Sequence, residues 1–166
     1  SHRKNIGTPL DTGSMLMIAE FDPVHPERLI SEPKCLSRPL YGFENTEHTI
    51  NNEGPYAFYY HNKIYLAYSG GDARGYLYAI GMLTANDGDD LCDLSVWEKA
   101  KTPIASFATI PGEYGPGHNS FFWDRDQNLW IAYHAVTSFE EKIVSSGMRR
   151  VYFEQDKTPR FDVIVE

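Results

Sequence analysis

The sequence predicts an all-β chain that forms part of a β-propeller, with about 2.5 blades of four-stranded antiparallel sheet in its 166 residues. Three observations carry this. Strand signals recur along the chain while helix signals are almost absent. One segment repeats at a fixed offset. The repeated strands are apolar on both faces.

The strand runs cover residues 14–21, 56–60, 64–69, 76–83, 119–123, 129–134 and 148–153. Tyr, Phe, Leu and Ile are prominent in them, and aromatic and β-branched residues suit pleated surfaces. Turn clusters separate them: His61-Asn62-Lys63, Gly70-Gly71-Asp72 and Asp124-Arg125-Asp126-Gln127-Asn128. No long segment shows helical spacing with a cap before it. One short helical turn is expected near Asp93, whose carboxylate suits an N-cap.

The repeat is visible by alignment. Lys63-Ile64-Tyr65-Leu66-Ala67-Tyr68-Ser69 falls on Asn128-Leu129-Trp130-Ile131-Ala132-Tyr133-His134 at an offset of 65. The same offset carries Glu53 onto His118, and a following strand pairs Gly81 with Gly147 at 66. A β-meander of about 65 residues is a propeller period. "IYLAY" and "LWIAY" hardly alternate, as expected of strands sandwiched between blades. A two-sheet sandwich, the competing fold, predicts more alternation. Fewer than four blades do not close a ring. The chain therefore reads as residues 1–166 of one longer propeller domain, or as a piece that pairs with a second copy. The faces expected to lie uncovered are those of "MLMIA" and "RVYF".

Composition narrows the function. The apolar fraction of 42% is that of a folded domain, and 14% of residues are aromatic. The net charge of −8 repels phosphates, which argues against nucleic acid and anionic membrane as partners. No apolar run is long enough to span a bilayer. Ser1 to Asn5 contain no apolar core of a leader, and the compartment stays open. Cys35 and Cys92 match no metal or redox spacing. They read as packed thiols, with a single disulfide as the alternative.

Glu53 and His118 are the candidate functional pair. Both precede the first strand of their unit, beside glycine and proline. Innermost strands line a propeller's axis, so both side chains are expected in one axial funnel. Taken singly, Glu53 reads as a solvated loop residue and His118 as a hydrogen-bond partner.

Several strings then resemble glycoside hydrolase family 43. They are Asn51-Asn52-Glu53-Gly54-Pro55, Gly115-Pro116-Gly117-His118-Asn119-Ser120, Tyr133-His134-Ala135 and Arg149-Arg150-Val151, with "LSRPLYGFENTEH" upstream, where Glu44 matches an aromatic-Glu pair. The resemblance implies a five-bladed propeller of which this is the C-terminal part. It implies inverting hydrolysis of plant cell-wall type saccharides by an α-L-arabinofuranosidase-like or β-xylosidase-like exo-glycosidase, with a slight leaning to the arabinofuranosidase type. Glu53 matches the general acid. His118 resembles an axial histidine that holds calcium or sodium largely through waters. Arg149 matches an arginine that reaches the sugar. Tyr56, Asn119 and Phe43 are pocket candidates, with Ser69 and Tyr114 behind them. Neither the catalytic base nor the Asp that tunes the acid has a match here, since Asp11 and Asp22 sit in the wrong strings. The expected partners are a carbohydrate and either the missing N-terminal half or a second copy. A non-catalytic sugar-binding propeller and a protein-interaction propeller are the competing functions.

Overall fold

The computed structural model describes residues 2–138, 140 and 143–163. Antiparallel sheets succeed one another along the chain. β1 (Leu16–Ile18) pairs with β2 (Lys34–Ser37), and a small hairpin joins β3 (Asn45–Thr46) to β4 (Thr49–Ile50). A full four-stranded blade follows in sequential order: β5 (Asn52–Tyr60), β6 (Lys63–Gly70), β7 (Ala79–Asn86) and β8 (Glu98–Lys99). The next blade has three strands: β9 (Tyr114–Trp123), β10 (Leu129–Val136) and β11 (Val144–Arg150). β12 (Tyr152–Phe153) and β13 (Pro159–Arg160) close the described chain. Among the described residues there is thus one complete blade and one lacking its fourth strand.

The two blades pack face to face. Tyr65, Ala67, Ile80 and Met82 of the first blade meet Phe121, Leu129, Ile131 and Tyr133 of the second in the main core. The opposite face of the first blade presents Tyr68 and Leu83 to Leu16, forming a second core. Both faces of the first blade are therefore dry, as its unbroken apolar strings predict.

Each blade carries a glycine beneath a tyrosine. Gly81 pairs with Tyr68 and Gly147 with Tyr133. A Cβ on Gly81 would overlap the Tyr68 ring, and one on Gly147 would lie 2.8 Å from Tyr133 Cζ. Both rings thus lie flat across the next strand, and both hydroxyls donate to a carboxylate: Tyr68 to Glu44 at 2.8 Å and Tyr133 to Glu113 at 2.5 Å. A cation completes each set, Lys99 on Glu44 at 2.6 Å and Arg149 on Glu113 at 2.7 Å.

Several boundaries differ from expectation. The predicted strand 148–153 is divided at Val151 into β11 and β12, although the Val151 N–H still donates to the Leu129 carbonyl at 2.8 Å, one rung beyond the Trp130–Arg150 pair. The third strand of the first blade begins at Ala79 rather than Tyr76. The Tyr76 carbonyl accepts instead from the Gly115 N–H of the next blade at 2.8 Å. The uncovered faces are also not the predicted ones. Met15, Leu16 and Val151 are buried, whereas Val144 and Met148 on β11 are each 62% exposed and Phe122 is 41% exposed. Asp93 does cap a short 3-10 turn, Leu94–Val96, accepting from Ser95 N–H at 2.9 Å. Both cysteines are free, Cys92 buried and Cys35 half-buried.

The two inner hairpins differ in length. Tyr60 pairs with Lys63 across a two-residue turn, His61-Asn62, with both residues at positive φ (46° and 62°). The second hairpin is organised by Asp124. Its carboxylate accepts from Trp130 Nε1 (2.8 Å), Asn128 N–H (2.8 Å), Asn128 Nδ2 (3.0 Å) and Asp126 N–H (2.9 Å). The Trp130 bond chiefly, with the backbone N–H groups, holds its pKa down at about 2. A folded-state pKa below the unfolded value means stabilisation that is full above the unfolded pKa and fades as pH falls toward 2. Asp124→Ala is expected to lower the melting temperature at pH 7 and to flatten the melting-temperature profile between pH 4 and 2, followed by circular dichroism. A mutant as acid-sensitive as wild type would contradict this.

Candidate active site

The ladder revises how the two inner strands correspond. Glu53 pairs with Ser69 and Gly117 pairs with His134. Ser69 and His134 keep the 65-residue offset, so the rung equivalent of Glu53 is Gly117 rather than His118. His118 instead matches Gly54. Each lies in the bulge that follows its rung, and each has a left-handed backbone, φ 50° at His118 and 54° at Gly54. The extra residue in the Asp124 hairpin accounts for the shift.

The expected convergence of Glu53 and His118 nonetheless occurs. The His118 imidazole lies 3.4 Å from where a Cβ on Gly54 would sit, and it is exposed. Glu53 is half-buried, and its Oε1 accepts from the Tyr78 hydroxyl at 2.8 Å. Tyr78 is fully buried, and burial pushes its hydroxyl pKa far up, with Glu53 adding to the rise and the Ser69 hydroxyl opposing it. Gly117 makes this reach sterically feasible, because any Cβ there would overlap the Tyr78 ring. Ser69 Oγ accepts from the His118 backbone N–H at 2.7 Å, which ties the two blades together beside the carboxyl.

His134 lies between Tyr78 and His118. Its ring is 5.7 Å from Tyr78 at 23° and 6.4 Å from His118 at 17°. Its Nε2 is buried with no hydrogen-bond partner. Burial lowers its pKa first, the neighbouring His118 lowers it further, and Glu53 pulls the other way. The imidazole is thus biased toward its neutral form, and one carboxylate, two imidazoles and a phenol meet at one end of the inner strands.

The other predicted site residues are placed differently. Asn119 is 5% exposed, and neither Nδ2 nor Oδ1 has a partner. Phe43 stacks on Tyr41 at 6.3 Å and packs against the core of Leu16, Tyr68 and Leu83. Tyr56 is 42% exposed, with its ring 6.0 Å from Phe121. Tyr114 meets Tyr76 edge to face at 6.1 Å. Arg149 donates Nε to Tyr133 Oη and Nη2 to Glu113, both at 2.7 Å. No pattern of spacing or neighbouring residues singles out Tyr78. His134 was within reach, since the 65-residue offset sets it on Ser69.

A hard cation is a poor fit to these side chains. His118 and His134 offer nitrogen, while calcium and sodium want several oxygens. Among the described residues, one trio of His, Cys, Asp or Glu brings its ligand atoms within 4.8 Å of one another: Glu20, Asp90 and Cys92. It shares no residue with the axial cluster.

Comparison with known proteins places the chain. The model for glycosyl hydrolases family 43 matches residues 9–159, and the chain belongs to that family. An extracellular exo-alpha-(1->5)-L-arabinofuranosidase of Streptomyces avermitilis is 29% identical over 163 residues, covering 93% of this chain and 33% of the relative. The like-named protein of Streptomyces chartreusis is 34% identical over 126 residues, covering 75% and 37%. The crystal structure of an alpha-L-arabinofuranosidase from Lactobacillus brevis superposes with a TM-score of 0.76 at 29% identity, covering 89% of this chain and 46% of that one. The chain thus spans a third to a half of the length of these relatives, and its fold is a partial propeller of their kind.

Proposed function

We propose that the chain carries the acid half of an inverting α-L-arabinofuranosidase site, with Glu53 as the general acid. The observation that supports this best is the half-buried Glu53 carboxyl, fixed by a buried phenol at the axial end of an inner strand and faced by two imidazoles. In the reaction Glu53 protonates the leaving glycosidic oxygen while a carboxylate base activates water on the opposite face of the sugar. Such a pair stands roughly 6.5–9.5 Å apart to admit the water. The base comes from a segment outside these 166 residues, in keeping with the share of its relatives that the chain spans. The sugar class follows the names of those relatives.

Arg149 enters this reading with two donor groups already engaged by Glu113 and Tyr133. Any sugar contact it makes uses the remaining edge of the guanidinium. The exposed β11 face, with Val144 and Met148, is where the complementary part of the propeller packs.

The test is a paired assay. The 166-residue chain alone is expected to associate in light scattering and to leave an aryl arabinofuranoside intact. Supplying the upstream segment is expected to give a monodisperse particle that hydrolyses it. A monomeric chain that turns over substrate unaided would place the base within these residues. A completed particle that binds arabinosides without hydrolysing them would make this a binding module.

A further inference from the structure

We infer that Tyr78 is a positioning residue that reserves one oxygen of Glu53, Oε2, for proton transfer. The inference rests on the reading of Glu53 as the acid and adds which atom delivers the proton.

Hydrogen-bond direction distinguishes the two carboxyl oxygens. The His118 backbone N–H is a donor only, and it donates to Ser69 Oγ at 2.7 Å. The fully buried Tyr78 hydroxyl donates to Glu53 Oε1 at 2.8 Å, its one hydrogen-bond partner among the described residues. A hydroxyl has one proton. Tyr78 spends that proton on Glu53, and a buried phenol that turned its hydroxyl around would leave the proton without an acceptor, so the bond runs one way, from Oη to Oε1. Oε1 therefore accepts in both protonation states of the carboxyl. When Glu53 is protonated the proton sits on Oε2, the oxygen on which no protein donor converges among the described residues. On reaction the Oε2–H bond breaks as the leaving oxygen gains the proton, and the carboxylate left behind keeps its Tyr78 bond.

The packing holds this direction in place. Tyr78 is fully buried, its ring overlies the space left by Gly117, and Ser69 is fully buried as well. Nothing in this arrangement is needed to fold the blade, because a phenylalanine fills the same volume.

Two measurements test it. In the 166-residue chain labelled with ¹³C at the Glu carboxyl carbon, the Glu53 signal is identified as the one lost in Glu53→Gln. Tyr78→Phe is expected to move that signal and Ser69→Ala to move it less, with the other carboxyl signals in place. A Glu53 signal unmoved by Tyr78→Phe overturns the inference. In the base-containing enzyme, Tyr78→Phe is expected to cost about tenfold in kcat on alkyl arabinosides and little on nitrophenyl ones, since one hydrogen bond to the acid is lost. A merely structural role predicts equal losses on both. Glu53→Gln, run in parallel, separates the two readings. If Glu53→Gln shows no leaving-group dependence, the acid assignment fails. If it does and Tyr78→Phe matches wild type, only the role of Tyr78 fails.

Discussion

Glu53→Gln is expected to remove hydrolysis of substrates with poor leaving groups while sparing much of the activity on activated aryl glycosides. General acid catalysis contributes about 10²- to 10⁴-fold where the leaving oxygen must be protonated. A nitrophenolate departs without that help, so its hydrolysis falls far less. The carboxyl and the amide are nearly isosteric, and the Tyr78 hydroxyl still finds an oxygen acceptor at 2.8 Å or close to it. The loss therefore reports on the proton and not on the fold. Steady-state rates on a leaving-group series, with the completed propeller, give the answer. Parallel loss across the series would assign Glu53 to sugar binding.

Glu44→Ala is expected to be the most destabilising single change in the first blade. Glu44 is fully buried, accepts four hydrogen bonds and pairs with the Lys99 ammonium. Oε2 takes the N–H groups of Leu40 and Tyr41, both at 2.7 Å. Oε1 takes Asn52 Nδ2 at 2.9 Å, Tyr68 Oη at 2.8 Å and Lys99 Nζ at 2.6 Å. Removing one partner of a buried ion pair costs about 3–5 kcal/mol, because the other charge is left uncompensated. For a chain of this size that corresponds to a melting temperature lower by roughly 10 °C. Lys99→Met is expected to be much milder. Its ammonium is already disfavoured by burial, as its lowered pKa shows, and Glu44 keeps four donors when it is gone. Urea denaturation of both variants decides the matter. Equal costs would mean that the ion pair, not the hydrogen-bond cage, carries the stability.

The sequence was most legible where local patterns repeat. The 65-residue offset shows the two blades because Tyr68 and Tyr133, with Gly81 and Gly147, are the same packing solution used twice. Glu53 and His118 were found because glycine and proline mark the bulges in which the inner strands end. What stayed hidden depends on contacts across blades. Tyr78 sits in a strand-like run with nothing beside it to suggest a role, and only the missing Cβ of Gly117 lets it reach Glu53. The pairing of Arg149 with Glu113 joins residues 36 positions apart, and no spacing rule connects them. The exposed face stayed hidden because "RVYF" reads as one strand, whereas β11 ends at Arg150 and a separate pairing of Tyr152 with Arg160 begins beyond it.

The unequal hairpins have an evolutionary reading. His118 and Asp124 are six residues apart, about 20 Å along a strand. One residue added at the far hairpin changes which side chain arrives at the active end, because the ladder beyond it is pinned by paired rungs. In the first blade a glutamate stands opposite Ser69; in the second a glycine takes the equivalent rung opposite His134 and a histidine occupies the bulge. A duplicated blade can thus acquire a new reactive group through a single-codon insertion on its remote surface, where selection on the site itself is weakest.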